Sequence, residues 1–176
     1  MTSKAGQSVR VIAALAVCAS VLLAVQVGKA MLFPFLPNVE LVSLLVMLFT
    51  RAFRRRVLYI IYLFVFLQGI LYGFHLWWVT YLYVWTVLAL LTWLCRSQDS
   101  PWLMAALSGA FGLFFGALDA VPYLFIGGVP MAASRWLAGI PFDLVHCAGN
   151  FALCLALWKP LDKAFSHCAE RFGLPS

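Results

Sequence analysis

Charge is what this chain has least of. Only 10% of its 176 residues are Asp, Glu, Lys or Arg, and only six of them are acidic. Soluble domains carry about a quarter charged residues, so an ordinary water-exposed globule is excluded. The sequence also lacks a Gly-x-Ser-x-Gly elbow, a His-Glu-x-x-His pair, a glycine-rich phosphate loop and any carboxylate cluster with two-metal spacing. Hydrolytic, zinc-dependent and nucleotide-driven chemistry therefore have no residues to carry them. There is no Cys-x-x-Cys pair. Cys18, Cys95, Cys147, Cys154 and Cys168 read as free thiols, without a disulfide framework or a metal centre. The net charge of +6 is not arranged as a basic patch interleaved with exposed aromatics, so no nucleic-acid partner is expected. The expectation is a protein that is not an enzyme and carries no metal or cofactor of its own.

What is present is hydrophobic sequence: 65% of the chain, in runs at 9–28, 39–53, 57–74, 79–95, 101–118 and 141–160. About 20 apolar residues cross a bilayer as a helix. If the gaps are numbered alternately from the inside, Lys4, Arg10, Arg51, Arg54, Arg55, Arg56, Arg96, Lys159, Lys163 and Arg171 lie inside, and Lys29 and Arg135 outside. That ten-to-two division of the basic residues puts both termini in the cytoplasm. The expected fold is a single all-α integral membrane domain over residues 1–176. It is a six-helix transmembrane bundle, N-in and C-in, in the cell membrane, with a long external loop at 119–140 between helices 5 and 6. Lys4 and Arg10 ahead of an apolar run imitate a signal peptide, but the run continues past Cys18 to Val27 and reads as a retained span.

Pro34 and Pro37 bar helix from the first connection. In the 119–140 connection, Pro122, Gly127, Gly128 and Pro130 imply a bent loop, and its apolar Tyr123 to Ile126 suggest a lid folded over the outer mouth. Small residues recur every fourth position in three spans: Ala16, Ser20, Ala24 and Gly28; Ser108, Gly112 and Gly116; Ala148, Ala152 and Ala156. Such ladders let helices approach closely, either within the protein or against another membrane subunit.

Polar residues concentrate on the outer half. Asn38 and Glu40 open the second span, Tyr72 and His75 close the third, and Trp78, Tyr81 and Trp85 line the fourth. Tyr123 and Arg135 lie in the long connection, where Arg135 is a candidate partner for Asp119, Asp143 or Glu40. Asp143, His146 and Asn150, spaced i, i+3 and i+7, share one helical face. A polar stripe confined to the outer turns of an apolar helix reads as one wall of a pocket, or as a cap by Asp143 followed by two satisfied polar residues. Ionisable groups at membrane depth are costly and normally face a cavity, a partner or a ligand. Tyr81 and Trp85, at i and i+4, offer stacking faces or simply an interfacial belt.

In combination these features resemble the substrate-binding S components of energy-coupling factor (ECF) vitamin transporters. The resemblance rests on six spans in under 200 residues, the first-span ladder, the opening Pro37-Asn38-Val39-Glu40-Leu41-Val42, and the closing block. That block runs from Gly139-Ile140-Pro141-Phe142-Asp143 through Gly149-Asn150-Phe151 to Lys159-Pro160-Leu161. The resemblance implies a high-affinity site for a vitamin-like small molecule near the outer face. It implies docking through the first helices, here Ala16, Ser20 and Ala24, onto a transmembrane coupling subunit driven by two ATPases. Ligand contacts would come from 33–40, 72–81, 119–140 and the start of the sixth helix. The many aromatics and few charges favour cobalamin or another corrinoid. Pantothenate, a queuosine precursor or a pyridoxine-like vitamin fit the same outline. From a different class, a haem-binding membrane protein would use His75 and His146 as facing ligands, and a membrane enzyme is the other alternative.

Overall fold

The computed structural model describes residues 4–35 and 38–171, and every regular element among them is helical. The helices are α1 (Lys4–Leu32), α2 (Val42–Phe53), α3 (Val57–Tyr72), α4 (Leu76–Leu94), α5 (Pro101–Asp119) and α6 (Val121–Arg171), with a single 3₁₀ turn at Arg54–Arg56. Ser8–Leu32, Val42–Tyr72, Leu76–Leu94, Pro101–Asp119 and Val121–Cys168 form five stretches long and apolar enough to cross a bilayer. Their outward faces are apolar: Ile12, Val17, Tyr59, Ile70, Phe114 and Leu144 are all exposed.

The sixth expected span does not stand alone as a long helix. α2 has 12 residues and rises about 18 Å, against a hydrocarbon core of about 30 Å. Apart from Ser43, Thr50 and Arg51 it is apolar, and all of it but Arg51 is buried, as expected of a helix that is hydrophobic nearly all round. It occupies the centre of the bundle, packed on α6 and α4 and touching α1 and α3. Ser43 and Thr50 are among its buried residues, and Thr50 Oγ1 donates back to Val46 O at 2.7 Å. Such a bond satisfies a hydroxyl where water is excluded.

The long external loop is also absent. Residues 121–171 are helical apart from a break at Gly127 and Gly128, where Gly128 takes φ 69°. Pro122 and Pro130 lie in first turns, where a missing N–H costs nothing, so the residues that suggested a loop punctuate helices instead. Only the break needs the glycine, whose positive φ is strained for other residues. Leu36 and Pro37 of the first connection lie outside the described residues. The remaining boundaries fall close to those expected. Ser100 caps α5 by accepting from Leu103 N, with Pro101 directly after it.

The break makes α5 and α6 a tight antiparallel pair. Gly109 lies against Cys147 and Phe151, Gly112 against the backbone of His146 and Cys147, and Gly116 against the carboxylate of Asp143. The α5 ladder is therefore internal packing. At one end of the bundle Arg51 bridges Asp99 (2.5 Å) and Asp162 (3.2 Å), donates to Gln98 O and lies over Trp158. At the other end Arg135 pairs with Asp119 at 2.8 Å, and Thr80 Oγ1 donates to the same carboxylate at 3.1 Å.

Candidate functional site

Between those two charged ends the interior is mostly apolar, and the larger part of its unpartnered polar atoms falls in one region. Asp143, His146 and Asn150 lie on a single face of α6 and are all buried. Asp143 is not a helix-start cap, because α6 begins at Val121. Its Oδ1 accepts instead from Gly116 N across the pair, at 3.0 Å. Asn150 Nδ2 donates to Ser108 O at 3.3 Å. His146 lies against the rings of Phe115 and Phe111, at 5.1 and 6.4 Å. Gly112 is seven residues from Asp119, so this layer sits about 10 Å deeper than the Asp119–Arg135 pair.

The first connection supplies the facing group. Val39 packs on Gly149, and Asn38 Nδ2 donates to Phe142 O at 3.3 Å, pinning the segment to α6. Glu40 Oε1 then stands 3.8 Å from His146 Nε2, beyond hydrogen-bond distance. α4 closes the layer with rings: Trp77, Tyr81, Trp85, Phe115 and His146 form a continuous chain of edge and tilted contacts, with centroids 5.1 to 6.2 Å apart. α1 contributes Gln26, whose Nε2 donates to Tyr81 OH at 3.4 Å.

The polar atoms of this layer are incompletely paired. Both His146 nitrogens, Asp143 Oδ2, Asn150 Oδ1, Trp85 Nε1 and Gln26 Oε1 are buried without a hydrogen-bond partner within the chain. Each such atom costs about 1–3 kcal/mol, and a well-packed interior holds few of them. These atoms come from α1, α4 and α6 and lie among the rings of Trp85 and Phe115, with the carboxyls of Asp143 and Glu40 beside them.

Not every expected residue takes part. Glu40, Tyr81, Trp85, Asp143, His146 and Asn150 are brought together, with Asn38 at the rim. Trp78 is engaged elsewhere, donating from Nε1 to Val65 O at 2.9 Å and packing on Phe74. Tyr72 and His75 are exposed at the α3–α4 turn. His75 stands at the N-cap of α4 with its ring over Gly73, and it shares no contact with the buried His146. Tyr123 and Arg135 belong to the Asp119 ion pair, with the guanidinium 5.5 Å from the Tyr123 ring. The sequence reading missed Gln26 and Lys29 on α1 and the rings of Phe111 and Phe115. Gln26, a lone amide in an apolar run, was the available signal.

No protein-family model, curated protein or solved structure matches this chain.

Proposed function

We propose that the chain is the membrane-embedded substrate-binding subunit, or S component, of an ATP-driven ECF-type micronutrient importer. The observation that supports this reading is the buried layer of unpartnered polar atoms on Trp85, Asp143, His146 and Asn150, with Glu40 3.8 Å from His146. In a bilayer such atoms have no water to turn to, so a ligand is their natural partner. The ring chain from Trp77 to Phe115 supplies stacking area with little fixed charge, which suits cobalamin or a related corrinoid. Six crossings, N-in and C-in, follow if α2 and α3 reverse at Arg54–Arg56, with α2 as a short central crossing. The layer then lies below the outer face, and the arginine-rich end is cytoplasmic.

The direct test is mass spectrometry of small molecules that co-purify with the detergent-solubilised protein, followed by titration with cyanocobalamin. A haem spectrum, or turnover of a substrate by the isolated chain, would replace this reading with another class. Orientation has its own test: Val129→Cys should react with an impermeant thiol reagent in intact cells, and Gln98→Cys only after permeabilisation. The reverse pattern would invert the site.

The coupling surface is proposed on α1. Its buried face is Ala14, Leu15, Ala19 and Leu22, so Ser20 and Ala24 point away from the bundle and Ala16 is half-buried. This ladder, unlike that of α5, is not used for packing within the chain. Ala24→Trp should leave binding by the isolated subunit intact and reduce uptake by the complex with the coupling subunit and ATPases about tenfold or more. Equal losses in both assays would make the ladder a structural feature.

A further inference from the structure

Three cavities at the arginine-rich end share the residues Arg54 and Trp93. The first, of about 350 Å³, is lined by Arg51, Arg54, Trp93, Arg96, Ser97 and Glu170, among others. The second, of about 450 Å³, adds Arg55 and Arg56. The third, of about 340 Å³, differs in chemistry. It is a trough of Val57, Leu58, Ala89 and Leu90 between the start of α3 and the end of α4, entered beside Arg54 and Arg55.

The basic part is built as an anion site. Arg55, Arg56 and Arg96 are exposed, and Arg51 is held by Asp99 and Asp162. The Arg96 guanidinium lies 4.4 Å above the Trp93 ring, which fixes it at the wall shared by the first two cavities. Glu170 is the one acidic residue lining the first cavity.

The trough indicates the source of the anion. Its rim residues Leu58 and Leu90 are exposed on the outside of the bundle, where acyl chains run. Basic pockets between helices on the cytoplasmic side bind anionic headgroups, and guanidinium forks match phosphate oxygens. On the orientation proposed above, we propose that this end holds one anionic phospholipid of the inner leaflet, with its phosphate between Arg55 and Arg96 and one acyl chain in the Leu58–Leu90 trough. The site is separate from the polar layer at His146 and does not depend on what that layer binds.

The test is native mass spectrometry of the full chain in detergent, with dioleoyl phosphatidylglycerol, dioleoyl phosphatidylcholine and glycerol 3-phosphate as probes. Phosphatidylglycerol should be retained in preference to phosphatidylcholine. Arg96→Gln and, independently, Arg55→Gln should each lower that retention about fivefold. Both side chains are exposed, so the fold survives either change. Leu90→Trp should fill the trough and lower phosphatidylglycerol retention without affecting glycerol 3-phosphate. Equal retention of the two lipids overturns the proposal. So does glycerol 3-phosphate binding as well as phosphatidylglycerol with Leu90→Trp silent, which would make this a site for a free anion.

Discussion

Gly112→Leu should be among the most damaging single substitutions in the chain, costing about 3 kcal/mol or more of stability. A Cβ at this position would lie 2.8 Å from the carbonyl carbon and oxygen of His146 and 2.9 Å from Cys147 N. Those are backbone atoms of a long helix and cannot rotate aside, so α5 and α6 would have to separate along their length. The loss would reach the buried layer as well, because Asp143–Gly116 and Asn150–Ser108 both cross that seam. The measurement is the apparent melting temperature of the detergent-solubilised protein by tryptophan fluorescence. Gly28→Leu and Gly139→Leu are the controls, since a Cβ at either meets nothing within 4 Å. Both should melt within about 2 °C of the parent protein. If Gly112→Leu matches them, the α5–α6 contact is wrong.

The second large effect separates binding from folding. His146→Phe keeps a ring of similar size against Phe111 and Phe115 and removes two buried nitrogens that have no partner within the chain. Replacing an unsatisfied polar group by an apolar one of like shape is neutral or stabilising. The variant should therefore melt at or above the parent temperature. Its affinity for cyanocobalamin should nevertheless fall by at least about tenfold, the equivalent of one lost hydrogen bond in a dry site. Trp78→Phe is the converse case. It breaks the bond to Val65 O and should cost stability while leaving affinity unchanged. A destabilised His146→Phe protein, or one that binds cyanocobalamin as tightly as the parent, would show that His146 serves packing and that the ligand site lies elsewhere.

The register of the buried face on α6 was legible from sequence, because i, i+3 and i+7 spacing decides which residues share a side of a helix. The same logic placed Tyr81 and Trp85 together on α4. It could not distinguish Trp78, three residues before Tyr81, because what separates them is a carbonyl of α3 that only one indole reaches. Nor could it assign Arg135 among Asp119, Asp143 and Glu40. That choice depends on the helical break at Gly127–Gly128, which brings residue 135 back beside residue 119.

The sequence by itself determined the helical class, the apolar runs and most helix limits. These follow from local composition and from the cost of exposing a backbone to hydrocarbon. Only the tertiary structure decided which small-residue ladder is consumed inside the protein and which remains on its surface. The α5 and α1 ladders have the same four-residue spacing; one lies within backbone contact of α6, and the other faces away from the bundle. It also decided that residues 121–140 are helix with one break rather than loop, and that Glu40, far from α6 in the chain, stands opposite His146. Contacts between distant segments depend on how helices cross, and crossing is set by the summed packing of all their faces, which no local pattern in one helix contains.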